Sequence, residues 1–111
     1  MGAEEEIVTT AVCAEDELAD GQVRVFEVEG QEGIVVRSGD TVYACQRFCA
    51  HQKFPLEFGQ LRECNKICCT YHGAEYDLRT GEVKKEPAKG PIKVFSTRIE
   101  DGMVLVDIPR S

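Results

Sequence analysis

Two short pairs of metal-binding side chains, Cys49-Ala50-His51 and Cys69-Thr70-Tyr71-His72, with residues 52–68 between them, constrain this chain more than any other feature. The sequence holds two histidines, and each stands beside a cysteine at an offset that suits ligation of one metal centre. Histidines that merely fill a core have no reason to be placed so regularly. The four side chains therefore predict a metal site, formed where the fold brings the two arms together.

The ligand balance bears on which metal. Structural zinc sites also use two cysteines and two histidines, but they usually pair cysteine with cysteine and histidine with histidine. Here each arm is mixed. Mixed arms suit a two-iron cluster, because one residue of each arm reaches one iron while its neighbour reaches the other, giving one iron two thiolates and its partner two imidazoles. A zinc module stays open as the alternative.

These arms, with A-E-Y-D-L-R-T-G-E-V from Ala74 to Val83, resemble the Rieske-type ferredoxins, and the similarity runs from about Val23 to the end of the chain. The resemblance implies an all-β fold: a β-sandwich base with an inserted cluster-binding subdomain at about residues 45–86, within one domain over 1–111. It implies one [2Fe–2S] cluster per chain. Cys49 and Cys69 would then hold an inner iron, and His51 and His72 an outer iron near the surface. In that family a proline loop covers the cluster from a third side. Glu86-Pro87-Ala88-Lys89-Gly90-Pro91 is the matching segment here, stiff because each proline fixes its own φ and restricts the residue before it.

Strand signals frame this segment. Val23–Val28 alternates apolar and polar residues, Gly33–Arg37 follows, and Ser38-Gly39-Asp40 turns the chain into Thr41–Cys45. Lys93–Ile99 and Met103–Ile108 are two further β-rich runs, joined through Glu100-Asp101-Gly102, whose Asp-Gly pair suits a tight hairpin. Residues 13–20 read as a helical turn centred on Cys13–Ala19.

Cys13, Cys45, Cys64 and Cys68 lie outside the ligand pattern. They read as small apolar fillers, with redox sensing as a lesser alternative. Strand alternation turns Cys68 away from the face that Cys69 uses, so Cys68 is not expected to be a ligand. The Rieske proteins of respiratory and photosynthetic complexes tie their two ligand loops with a disulfide. At the equivalent positions this chain has Phe54 and Tyr71, which resembles the disulfide-free ferredoxin branch and suits a reducing compartment.

Composition limits the partners. A chain of 111 residues has enough core for one small domain, and 42% hydrophobic with 30% charged residues is ordinary for a globular protein. No apolar run approaches the ~20 residues that cross a bilayer, so no membrane partner is expected. Met1–Glu6 lacks a secretory pattern, and Glu6 stands where a myristoylation signal needs Ser or Thr, which places the protein in the cytoplasm. Thirteen basic against twenty acidic residues give a net charge of −7, which repels nucleic acid and favours a partner with a basic docking face. The resemblance implies a soluble one-electron carrier without a catalytic site. Its donor would be a flavin reductase and its acceptor a ring-hydroxylating dioxygenase or a di-iron monooxygenase. The alternative within redox chemistry is a small Rieske subunit held permanently in a larger oxidoreductase such as nitrite reductase.

Overall fold

The computed structural model describes residues 7–48, 56, 59–62, 66–69, 74–85 and 92–109. Alternating sequence produces a meander of β2 (Val23–Val28), β3 (Gln31–Ser38) and β4 (Thr41–Gln46), paired antiparallel with Phe26 opposite Gly33 and Ile34 opposite Cys45. The chain returns to this sheet at β9 (Val94–Glu100), which pairs with β4 through Ala44 and Cys45, and continues as β10 (Met103–Pro109). The β9–β10 turn places Asp101 at φ 52° and Gly102 at φ 77°. A two-residue hairpin of this hand needs positive φ at both central positions, which is why Asp-Gly marks it in sequence.

β1 (Ile7–Ala14) completes the sheet by pairing with β10, so the strand order is β1-β10-β9-β4-β3-β2. The edge strands β1 and β2 approach one another, and the Gln31 side-chain amide donates to the Pro109 carbonyl at 2.9 Å. The sheet thus curls almost into a barrel.

This N-terminal part corrects the sequence reading. Cys13 and Ala14 are strand, and the helical turn shrinks to a 3-10 turn at Glu15–Glu17. A bulge at Val12 shifts the register between Ala11 and Cys13, and this turns the Cys13 side chain into the barrel. Glu15 N–H then donates to the Gly102 carbonyl at 2.7 Å, while the Arg37 guanidinium donates to the Glu15 and Leu18 carbonyls at 3.1 and 3.0 Å. Those bonds to the β9–β10 turn and to β3 compete with helical pairing within 13–20.

Four short strands, β5 (Gln60–Arg62), β6 (Lys66–Cys68), β7 (Glu75–Asp77) and β8 (Val83–Lys85), form a second antiparallel sheet between β4 and β9 in the chain. The two-residue period of β3 and β4 explains how one sheet serves two cores. Val35, Val42 and Ala44 point into the barrel with Phe26, Val104, Val106 and Ile108. Ile34, Val36 and Cys45, from the alternate positions, pack outward against Leu56, Ile67, Tyr76 and Leu78 of the small-sheet region. Both faces of β3 are buried, so the inserted segment sits on the base through apolar contact. The fold is all-β: a curled base carrying an inserted small-sheet subdomain.

Candidate metal centre

The segment carrying the first arm leaves the base at Gln46, whose N–H donates to the Lys93 carbonyl at 2.9 Å. The Gln46 carboxamide bridges further, donating to the Phe48 carbonyl at 2.6 Å and accepting from the Lys93 N–H at 2.7 Å. Arg47 is held to β3 by its N–H to the Glu32 carbonyl and by a 2.8 Å ion pair with the Glu32 carboxylate, and its guanidinium lies over the Phe48 ring. Leu56 N–H then donates to the Arg47 carbonyl at 2.6 Å. Arg47 and Leu56, on either side of residues 49–55, are therefore joined, and the fully buried Leu56 side chain is fastened to the core.

Gly59 brings this loop onto the second arm. Its N–H donates to the Leu56 carbonyl at 2.9 Å, and a Cβ at this position would stand 2.1 Å from the Cys68 carbonyl. Only glycine lets the chain lie this close to the backbone of β6. Cys69 follows directly, and its N–H donates to the Ala74 carbonyl at 2.6 Å. Cys69 is 1% exposed and Ala74 0%, in one apolar cluster with Leu56, Ile67 and Tyr76. Described residues beside the two sequence arms thus meet at Leu56, Gly59, Cys68 and Cys69.

The D-L-R-T-G-E turn fastens a third segment here. Gly81 N–H donates to the Asp77 carbonyl at 2.7 Å, and the Gly81 carbonyl accepts from Ile92 N–H at 2.9 Å. The buried Asp77 carboxylate organises the turn by accepting from the Arg79 N–H, Nε and Nη2 at 2.7, 3.2 and 3.0 Å. The Arg79 side-chain bonds hold the Asp77 carboxyl below its ordinary range, against the opposing effect of burial. Ile92 and Lys93, at the end of the chain that follows the 86–91 loop, are consequently tied to both the small sheet and the base.

Among the proposed donors, Cys69 lies in the described structure. Cys49, His51 and His72 lie outside the described residues, as do Cys64, Phe54, Tyr71 and the proline segment 86–91. The residues present fit a cluster of mixed ligation in two respects. Cys69 offers a sulfur in an apolar, water-poor setting, and the described residues that flank the two arms, Arg47 with Leu56 and Cys69 with Ala74, are hydrogen-bonded to one another.

The spare thiols behave differently. Cys45 is fully buried and its pKa is pushed up to about 12 by burial, and Cys13 is raised chiefly by desolvation, so both stay protonated as small core fillers. Cys68 is buried outside both apolar clusters, and its thiol lies 3.6 Å from the Cys69 carbonyl. Sequence reasoning missed Gln46, Leu56 and Gly59 because none carries metal-binding chemistry. The small glycine nine residues before Cys68 was the only signal available, and on its own it has no direction.

The fold and this junction define a Rieske iron–sulfur protein, and the chain belongs to that family: a family model described as Rieske [2Fe-2S] domain matches residues 8–96. The match begins well before Val23 and stops at residue 96, whereas the sequence suggested similarity from about Val23 to the end of the chain. One [2Fe–2S] cluster per chain follows from the family, and the zinc alternative falls with it.

The ferredoxin component of biphenyl 2,3-dioxygenase from Rhodococcus jostii (strain RHA1) is 37% identical over 100 residues, spanning 89% of this chain and 92% of that protein. Among solved structures, the ferredoxin of carbazole 1,9a-dioxygenase from Nocardioides aromaticivorans IC177 superposes with a TM-score of 0.84 at 32% identity, over 88% of this chain and 95% of that one. A chain from a complex of reduced oxygenase and oxidized ferredoxin in carbazole 1,9a-dioxygenase gives 0.81 at 31% identity, over 87% and 99%. A nitrite reductase small subunit from Mycobacterium tuberculosis gives 0.85 at 18% identity over 96% and 99%, which shows the fold alone. No helix among the described residues is long and apolar enough to cross a membrane.

Proposed function

We propose that this chain is a soluble one-electron carrier, ligating its cluster through Cys49, His51, Cys69 and His72 and passing electrons from a reductase to an oxygenase. The observation that carries the ligand reading is the meeting of described residues beside the two arms, where Gly59 rests on the Cys68 carbonyl and the Cys69 N–H donates to the Ala74 carbonyl. When bound, a [2Fe–2S] cluster with mixed thiolate and imidazole ligation takes up and returns one electron at a higher potential than a four-cysteine cluster. The protein's part is to hold Cys69 among Leu56, Ala74 and Tyr76, away from water, and to brace both loops so that little moves when charge changes.

On this reading residues 1–111 form one domain with its cluster-binding subdomain at about 45–86. The donor is a flavin reductase, the site of action the cytoplasm, and the chain has no catalytic site of its own. Support comes from the ferredoxin components that are similar over nearly their whole length. The permanent-subunit reading rests on fold likeness at 18% identity and is the weaker of the two.

The ligand set is tested by visible absorption together with iron and sulfide content. His51→Ala, His72→Ala, Cys49→Ala and Cys69→Ala are each expected to lose the cluster, whereas Cys13→Ala and Cys45→Ala keep the full spectrum. Iron loss in either of the last two, with folding intact, would show that the ligand set is different. The carrier role is tested by mixing the reduced protein with a ring-hydroxylating oxygenase, and a failure to oxidise on contact counts against it.

A further inference from the structure

We propose that Gln46 is a positioning residue for the metal centre. Its carboxamide clamps the first ligand arm to the segment that follows the 86–91 loop, and so fixes how tightly and in what geometry the arm holds iron. This inference rests on the reading of Cys49 and His51 as ligands.

Three bonds converge on one residue. The Gln46 backbone N–H donates to the Lys93 carbonyl at 2.9 Å, its side-chain oxygen accepts from the Lys93 N–H at 2.7 Å, and its side-chain nitrogen donates to the Phe48 carbonyl at 2.6 Å. Both ends of the amide are used, one as acceptor and one as donor, so the network itself fixes which way the group points. Phe48 immediately precedes Cys49. Lys93 lies just beyond Ile92, which the Gly81 carbonyl binds to the small sheet.

Gln46 therefore joins the last described residue before the first ligand to a strand entrance that is itself tied to the second arm's subdomain. The side chain is half-buried, where a hydrogen bond competes with less water than at the open surface. Asp, Glu or Ser cannot reproduce this clamp: Asp and Glu lack the donor, and Ser lacks the reach. The β4–β9 pairing does not depend on the carboxamide, because Ala44 opposite Phe95 and Cys45 opposite Val94 hold that register and the Gln46 backbone makes its own bond.

Two substitutions separate the clamp from the fold. Gln46→Leu removes donor and acceptor. Gln46→Glu keeps an acceptor for Lys93 N–H but turns a carboxylate oxygen toward the Phe48 carbonyl, releasing only the first arm. Each variant is purified with its cluster and compared with the parent by iron release to an iron(II) chelator after reduction, by electron paramagnetic resonance of the reduced protein, and by thermal unfolding.

The expected result is iron release about fivefold faster in Gln46→Glu, the factor that one neutral hydrogen bond is worth, and faster again in Gln46→Leu, which loses two, with shifted g values and a melting temperature close to the parent's in Gln46→Glu. Should Gln46→Leu fail to fold, Gln46→Glu carries the test, since it keeps the bonds to Lys93. Release rates and g values equal to the parent's overturn the proposal. So does a lowered melting temperature with unchanged g values, the signature of a residue that serves only the fold. A parent protein whose cluster survives Cys49→Ala and His51→Ala overturns the ligand reading first, and this inference falls with it.

Discussion

Asp77 is the one buried charged side chain among the described residues, and its surroundings set a direction for pH dependence. Its carboxyl is held below the ordinary 3.8 by the Arg79 side chain, so the stability it contributes is fully present above that value and is lost as pH falls through the lowered one. Arg79→Gln is expected to cost about 1 kcal/mol at neutral pH, a modest figure because the guanidinium is more than half exposed and screened by water. Urea unfolding at several pH values checks the sign: the deficit of the variant should shrink as pH drops below the carboxylate range, and a constant deficit would remove the ion pair from the account. Ala74 offers a second test at this scale. It is fully buried, shares an apolar cluster with Cys69 and accepts the Cys69 N–H, so a hydroxyl on its Cβ adds a donor inside the cluster that holds a proposed ligand. A donor to sulfur stabilises the more negative, reduced state. Ala74→Ser is therefore expected to raise the potential by on the order of 60 mV, a tenfold change in a one-electron equilibrium, and voltammetry showing a fall would reverse the argument.

Among the elements, turn chemistry makes the cleanest prediction. The β2–β3 turn holds Glu29 at φ 50° and Gly30 at φ 84°, the geometry that Asp101-Gly102 adopts between β9 and β10, but with a glutamate where asparagine or aspartate fits best. Glu29→Asn is expected to stabilise the fold by about 0.5 kcal/mol, or roughly 2–4 °C in Tm by calorimetry; a lower Tm would mean that Glu29 makes a contact worth more than its backbone strain. Asp101-Gly102 announced its hairpin in sequence, alternation announced β2, and β-rich runs between turn residues announced β3, β4, β9 and β10. β1 went unread because the bulge at Val12 breaks its period, leaving a pattern that fits neither strand nor helix. The three-residue strands β5 to β8 are too short to show any period, and only pairing across the small sheet defines them. The candidate site was legible as four residues of two ligand types at a family spacing, whereas its supports were not. Gly59 and Leu56 act through backbone bonds and close packing, and Gln46 through a carboxamide bonded to main-chain groups, none of which a residue type advertises.

At the scale of the whole molecule, the charge of −7 is what a partner meets first. Long-range attraction to a basic face speeds encounter more than it tightens the final complex, and exposed charges are screened over about 8 Å at physiological ionic strength. A carrier that must bind a reductase, leave it and find an oxygenase gains from fast encounter and weak residence, whereas a permanently held subunit gains from neither. The two modes therefore differ in how electron transfer responds to dilution and salt. For an exchanging carrier, stopped-flow transfer to an oxygenase with a basic docking face should be second order in protein, and its rate constant should fall several-fold between low and physiological salt. The observed rate of a permanent complex would instead be independent of concentration. A second-order rate that stays flat or rises with salt would remove electrostatic steering while leaving the exchanging role in place, because apolar docking also supports exchange. A first-order rate at every dilution would favour the held subunit.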